Sequence, residues 1–411
     1  MSNAFTQDTP FARNYSRQVL TLDHGRGIYL VDISGNRYLD LGSGIAVNAL
    51  GYGDRRLARL IARQARQVVH VSNLYATPAS LSLGNRLLEL AGPVMRAGAG
   101  AVHFGNSGAE ANEGAIKYAR LWSHRTRGAG YHRIISFSNA FHGRTMGALS
   151  ATPKQAYRTA FEPLVPGFDT VPFNDVEALK TALDGTVAAI IVEVVQGEGG
   201  LQEISPEMVA FLNTLGPEQG VLVIADEVQT GLGRLGTLFG SAAVGLKPDI
   251  ITLSKPLAGG LPLSATIIPN VVNEQVQVGD HGTTFGGGPV TSTAALYVLD
   301  RLGGRGFLQS VQERAEQFHE GIRRMQEQFP WILEIRGRGL LRGLQIDLGS
   351  DQDTLFPKLL VVAQDKGLLL LRSGSDVIRI APPLIITERE MKKALELLQS
   401  VFETIESRRT T

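Results

Sequence analysis

Gly220-Val-Leu-Val-Ile-Ala-Asp226-Glu-Val-Gln229, followed by Asp249-Ile-Ile-Thr-Leu-Ser-Lys255, decides how this chain is read. In both stretches an apolar run of strand length ends abruptly in one ionisable residue, an acid in the first and an amine in the second. Continuous apolar runs bounded by turn residues predict strands buried on both faces, as in a parallel sheet. Ligands in open α/β folds bind beyond the carboxyl ends of such strands. An acid and an amine brought to that edge by neighbouring strands suit pyridoxal phosphate. Lys255 can hold the aldehyde as a Schiff base, and Asp226 can keep the pyridine nitrogen protonated so that the ring accepts electrons. Taken singly, a helix-capping Asp and a solvated Lys at a strand exit explain each residue better. The pair gains weight from the phosphate and ring contacts around it.

The surrounding sequence has the same grammar. Val102–Phe104, Arg133–Phe137, Ala188–Val192, Val221–Ala225, Ile250–Leu253 and Ser264–Ile268 predict strands, with helices between them at Ala109–Leu121 and Val176–Leu183. This alternation predicts an α/β fold with a mostly parallel, doubly wound central sheet. Upstream, residues 28–41 predict a hairpin around Ser34-Gly35-Asn36. Downstream, helices at Ser292–Leu302 and Phe307–Phe329 lead to strands at Leu333–Leu348, Gly367–Leu371 and Val377–Ile380. A final helix is predicted at Thr387–Ile405. The expected plan is a large domain over 53–300 and a smaller α+β domain over 301–411, joined by the N-terminal segment 1–52.

Composition narrows the classes. The 411 residues, 43% hydrophobic and 19% charged, can bury a sizeable core. Forty Lys and Arg against 39 Asp and Glu leave a net charge of +1, which argues against nucleic acid or a membrane surface as partner. The absence of Cys excludes disulfides and thiolate chemistry, and no metal site is expected. No apolar stretch approaches the ~20 residues of a membrane span. The first residues, Met-Ser-Asn-Ala-Phe-Thr-Gln-Asp, lack both a basic and an apolar leader region, so a cytoplasmic location is expected.

Several loops carry chemistry. In Val102-His-Phe-Gly-Asn-Ser107-Gly108-Ala109-Glu-Ala-Asn112, a strand, a small-residue turn and a helix follow one another, placing free amides and a hydroxyl at a helix N-terminus that favours phosphate. Ordinary capping by Ser107 explains that residue alone. The spacing is not that of dinucleotide or triphosphate loops. Phe141, in Ser138-Asn-Ala-Phe141-His142-Gly143-Arg144, can stack on a flat cofactor, and Arg144 can hold a carboxylate. The glycines of Glu193-Val-Val-Gln196-Gly-Glu198-Gly-Gly200 mark a backbone bend that would present Glu198 to the cleft, or simply a flexible turn with a solvated acid. Gly282-Thr283-Thr284-Phe-Gly-Gly-Gly288 offers a second phosphate grip, or is simply a solvated glycine-rich loop. Arg379, in Asp376-Val-Ile-Arg379-Ile-Ala-Pro-Pro383, is a charge within an apolar strand and calls for a partner or ligand.

These motifs, together with Tyr38-Leu-Asp-Leu-Gly-Ser-Gly-Ile-Ala-Val-Asn-Ala-Leu50, Phe161-Glu-Pro-Leu-Val-Pro-Gly167 and Asp226-Glu-Val-Gln-Thr-Gly231, resemble the class III aminotransferases of pyridoxal-phosphate fold type I. The resemblance spans nearly the whole chain and is strongest to the acetylornithine branch. It implies pyridoxal 5'-phosphate as cofactor, with Lys255 bound to it and shuttling a proton. Asp226 would pair with the pyridinium nitrogen, and Gln229 would lie by the ring's phenolic oxygen. Phe141 and Val228 would sandwich the ring. Ser107, Gly108 and Ala109 would hold the phosphate, with Thr284 reaching it from the neighbouring subunit of a homodimer. Arg144 and Thr283 would contact the distal carboxylate end of the substrate, and Arg379 the α-carboxylate of glutamate or 2-oxoglutarate. Glu198 would pair with Arg379 when an ω-amine is bound. The implied reaction moves the terminal amine of N2-acetylornithine to 2-oxoglutarate, in arginine biosynthesis. Ornithine, succinylornithine, N-succinyl-diaminopimelate and 4-aminobutyrate are alternative donors.

Three positions depart from the family pattern: Pro256 after Lys255, Val194 after Glu193, and Gly288 near Thr284. Proline is expected to push Lys255 towards an extended backbone. A racemase or decarboxylase on the same fold would not need two carboxylate grips. A binding protein on an inactive fold would not need Lys255 and Asp226 together.

Overall fold

In the computed structural model, which describes residues 11–15 and 20–409, the first regular elements are three short antiparallel strands. They are β1 (Leu22–Arg26), β2 (Tyr29–Asp32) and β3 (Arg37–Asp40). Asp32 shapes the expected hairpin: its Oδ1 accepts from the amides of Ser34 and Asn36 at 2.9 and 2.8 Å. The N-terminal octapeptide lies outside the described residues.

The central sheet holds β4 (Ala101–Gly105), β5 (Arg133–Phe137), β6 (Phe168–Val171), β7 (Val187–Val192), β8 (Leu222–Asp226), β9 (Ile250–Leu253) and β10 (Ser264–Ile268). Their order across the sheet is β4-β10-β9-β8-β7-β5-β6. Only β10 runs against the rest. Every residue of β7, β8, β9 and β10 is buried, because helices cover both faces. Ile134, Ile191 and Ile224 pack with Ala115, Ile116 and Trp122 of the helix Gly108–Arg127 on one face. Ile135, Ile190 and Val223 pack with Leu179, Met208 and Leu212 on the other. Neighbours in sequence thus serve opposite layers, each fully buried Ile or Val contributing roughly 1.5–3 kcal/mol. The strand β6 at the sheet edge is four residues of mixed polarity and was too weakly patterned to be expected.

Four more helices fall where periodicity places them, at Val176–Ala182, Pro289–Leu302, Phe307–Gln328 and Glu388–Arg409. Other helices lie outside the expected set, the long ones being Arg55–Gln67, Pro78–Ala91 and Gln352–Asp365.

Two strand expectations need correction. The run Leu333–Leu348 is a hairpin of β11 (Ile332–Arg338) and β12 (Leu341–Ile346). Gly339 turns between them at φ +57°, where a Cβ would lie 2.5 Å from the Leu235 backbone. The run Gly367–Leu371 divides into β13 (Leu368–Leu369) and β14 (Leu371–Ser373). β13 pairs in parallel with β3, whereas β14 pairs with β15 (Val377–Ile380), which also borders β12. One apolar run therefore serves two sheets, and nothing in its hydrophobicity marks the crossing.

Candidate active site

Asp226 is the last residue of β8, 4% exposed. Its Oδ2 accepts from Asn112 Nδ2 and lies beside His142 Nδ1, both at 2.8 Å, while Oδ1 accepts from the Val228 amide at 3.0 Å. Asn112 is itself fixed: Nδ2 donates to the His142 carbonyl at 2.7 Å, and Oδ1 accepts from Thr252 Oγ1 on β9 at 2.9 Å. A buried carboxyl so satisfied is held in one geometry at the sheet edge.

Lys255 follows β9 and opens a 3-10 turn, Lys255–Ala258. Its φ is +37°, a left-handed conformation, so the extended backbone expected from Pro256 is not adopted. A following proline favours extended backbone, so the left-handed Lys255 is imposed by the turn it opens and not by Pro256. The missing N–H of Pro256 is harmless, since the turn closes through the Leu257 amide on Ser254 and the Gly259 amide on Pro256. The Lys255 amine makes no hydrogen bond among the described residues. Loss of water around it, and then the Arg379 charge, lower it to about 8, against the pull of Glu198, Glu193 and Asp226.

The turn after β4 meets this cluster. Ser107 caps the helix, its Oγ accepting from the Glu110 amide at 3.2 Å while Glu110 Oε2 accepts from the Ser107 amide at 2.8 Å. Capping is thus a real task of Ser107. The amides of Gly108 and Ala109 remain without intrahelical acceptors and face outward with the positive end of the helix dipole. A Cβ on Gly108 would lie 2.5 Å from Val228 Cγ1, and one on Gly143 would lie 2.7 Å from Ala109 Cβ. The turn therefore sits directly against both Val228 and the Phe141–Arg144 loop.

A second buried acid, Glu193, follows β7. Its Oε1 accepts from the Phe141 amide at 2.9 Å and its Oε2 from the Gly197 amide at 3.0 Å. Burial pushes Glu193 up to about 7, against the attraction of His142. The Gly197 carbonyl in turn accepts from Arg379 Nη1 and Ser373 Oγ, each at 3.0 Å. Arg379 Nη1 also donates to Glu198 Oε1 at 2.5 Å. Gln229 is buried with its Oε1 lacking a partner among the described residues, and a Cβ on Gly197 would touch its amide at 2.5 Å.

Phe141 is half-buried, with Tyr157 edge-on at 6.4 Å between ring centroids. Arg144 is exposed and stacks on the Tyr157 ring, 3.5 Å from its centroid. Thr283 and Thr284 lie apart, on a loop packed on β4, where a Cβ on Gly286 would run into the Phe104 carbonyl at 2.2 Å. The Thr283 carbonyl accepts from Asn73 Nδ2 at 2.9 Å, and Thr284 is exposed. Neither threonine makes a hydrogen bond to the Asp226–Lys255 cluster among the described residues.

One sheet edge thus gathers an oriented carboxylate, a depressed amine, a phosphate-sized set of free amides and an orphaned Gln229 oxygen. These groups fit a phosphorylated pyridine aldehyde. No group of three His, Asp or Glu among the described residues could hold a metal ion, and no described helix is long and apolar enough to cross a membrane.

Residues 11–402 match aminotransferase class-III. The chain belongs to this family. An acetylornithine aminotransferase of Caldanaerobacter subterraneus subsp. tengcongensis is 42% identical to this aminotransferase over 95% of the chain and 96% of its own length. The N-acetylornithine aminotransferase of Stenotrophomonas maltophilia K279a superposes with TM-score 0.82 at 32% identity, over 95% of this chain and 98% of that one. The ornithine aminotransferase of Toxoplasma gondii, with pyridoxal phosphate at partial occupancy in its active site, gives TM-score 0.91 at 31% identity, over 98% and 94%. The fold of this aminotransferase is accordingly that of the type I pyridoxal-phosphate enzymes.

Asn112, His142, Thr252, Glu193 and Tyr157 complete the site of this aminotransferase without a role expected from the sequence. Glu193 had a visible signal, since Ala188–Val192 ends in an acid as Val221–Ala225 does. The others act across the fold and left none.

Proposed function

We propose that this aminotransferase moves the terminal (δ) amine of N2-acetylornithine to 2-oxoglutarate, giving N-acetylglutamate 5-semialdehyde and glutamate, a step of arginine biosynthesis. The observation that carries the reading is the Arg379–Glu198 pair beside Lys255: a buried guanidinium with a removable neutralising acid suits two unlike substrates used in turn. The names of the relatives support the donor.

The cofactor is pyridoxal 5'-phosphate, which when bound supplies an aldehyde for the donor amine and a protonated ring that takes up the electrons of a broken C–H bond. The chain's residues divide the remaining work. Gly108 and Ala109, with Ser107 beside them, hold the phosphate through the helix N-terminus. Phe141 and Val228 flank the ring, and Gln229 faces its phenolic oxygen. Asp226, oriented by Asn112 and His142, faces the ring nitrogen and favours its charged form. Lys255 takes the proton from the reacting carbon and returns it, and an amine lowered to about 8 is partly neutral near physiological pH. Arg379 binds the α-carboxylate of glutamate or 2-oxoglutarate bidentately. Glu198 pairs with Arg379 when the donor brings no carboxylate there. Arg144 and Thr283 receive the distal carboxylate end.

Thr284 serves the phosphate of a second copy, and the working unit is a homodimer. Support comes from the exposure of Thr284 and from a neighbouring apolar patch of Val69, Leu74, Tyr75 and Phe285. The pairing of β3 with β13 supports a small domain built from 1–52 and 301–411 around the 53–300 domain. We place the protein in the cytoplasm.

A screen of amino donors against the cofactor-loaded protein, following the cofactor spectrum in single turnovers, tests the reading. N-acetylornithine should react fastest; faster conversion by ornithine or 4-aminobutyrate refutes it.

A further inference from the structure

Glu193 is nearly fully buried and spends both carboxylate oxygens on backbone amides of two different loops. One amide belongs to Phe141, which flanks the ring. The other belongs to Gly197, whose carbonyl holds Arg379 Nη1 at 3.0 Å and whose neighbour Glu198 holds the same nitrogen. Ser373 closes the turn from outside, its Oγ donating to the Gly197 carbonyl and accepting from the Gly200 amide at 3.1 Å. We propose that Glu193 is a positioning residue that locks the Phe141 loop and the Gly197–Glu198 turn into one unit, so that Arg379 is presented to the carboxylate of a dicarboxylic acceptor.

The proposal rests on Arg379 as the acceptor's carboxylate site. The lock is strongest with the ionised acid, because both carboxylate oxygens then accept with charge, whereas in the protonated acid the hydroxyl oxygen is the weaker acceptor. The groups facing Glu193 are His142 from the loop after β5, Asp226 from β8 and Lys255 from the turn after β9, with Arg379 of β15 reached through Gly197. Burial raises Glu193 to about 7 and Asp226 adds to the rise, while His142 and the two amides oppose it. The lock therefore weakens as pH falls through about 7.

Glutarate, a dicarboxylate that cannot accept an amine, is the probe. Its dissociation constant is measured by calorimetry on the cofactor-loaded protein between pH 5.5 and 7.5. Wild-type binding should weaken as pH falls. Glu193→Gln keeps the shape but sets an NH2 group against an amide, and should bind roughly tenfold more weakly with a flat pH profile. Glu193→Asp, which keeps the charge and loses the reach, should weaken binding but retain a pH dependence. A Glu193→Gln protein with wild-type affinity and wild-type pH profile overturns the proposal, even if it melts earlier. Should neither variant fold, a pH-independent wild-type affinity overturns it instead. Arg379→Lys separates the underlying reading: glutarate binding unaffected by that change removes Arg379 as the acceptor site, whatever Glu193 does.

Discussion

Glu198 Oε1 stands 2.5 Å from Arg379 Nη1, and the two side chains differ sharply in burial, 29% exposed for the acid and 4% for the base. Arg379 cannot leave, and its charge in a dry pocket needs an anion. Glu198 can turn towards water. The asymmetry makes the acid the movable member of the pair.

Glu198→Ala should therefore slow the acetylornithine half-reaction by roughly a hundredfold while the glutamate half-reaction changes only a fewfold. Single-turnover spectra with each donor measure both. Equal losses would mean that Glu198 merely supports its turn.

Asp226→Asn keeps the shape and removes the charge. The half-reaction should fall by at least roughly a hundredfold, with a smaller loss of cofactor affinity, because the ring nitrogen loses its counter-charge. The same single turnovers, paired with cofactor titration, check it. Unchanged rates would leave the network of Asn112, His142 and Asp226 with a structural task alone.

Lys255 titrates at about 8 in the fold and near 10.5 when exposed. The protonated amine is thus disfavoured in the folded protein at any pH below about 8, and the penalty fades as pH rises from about 8 to about 10.5. Cofactor-free Lys255→Met should be more stable than the cofactor-free wild type at pH 7, by about 1–3 kcal/mol. The difference should close as pH approaches 10.5. Thermal melts at both ends of that range decide; a variant that melts lower at pH 7 contradicts the assignment.

Gly108→Ala would bring a Cβ to 2.5 Å from Val228 Cγ1. Val228 is β-branched and cannot step aside by rotation alone. The cofactor dissociation constant should rise at least roughly tenfold, with about 1–3 kcal/mol lost in stability. Adding Val228→Ala should recover part of the stability. Absence of any recovery would place the fault elsewhere in the turn.

Phe285 is 65% exposed and touches His70 ring to ring at 5.3 Å, next to Leu74 and Tyr75, which are 88% and 72% exposed. Such a patch suits the homodimer contact proposed above. Sedimentation should show a dimer, and Phe285→Asp should shift it towards monomer with loss of activity, since Thr284 stands beside it. A fully active monomer would exclude shared sites.

Hydrophobic patterning by itself marked six of the seven strands of the central sheet, all but β6. A strand buried on both faces is mostly apolar, and the short runs of β7, β8, β9 and β10, bounded by turn residues, fit that pattern. The ionisable residues that end those runs, Asp226 and Lys255, were legible for the same reason, because a charge at the end of an apolar strand must face a cleft or water. What lies across the fold was not. His142 and Asn112 meet Asp226 only because β5, β8 and the helix Gly108–Arg127 converge, and neither residue carries a local pattern that says so. The division of Gly367–Leu371 between two sheets depended on which edges were open beside it, at β3 and β15. The left-handed Lys255 was decided by the turn it opens, against the local preference set by Pro256. Local rules bias one or two residues by about 1 kcal/mol, and tertiary packing sums many such terms, so where they disagree the packing wins.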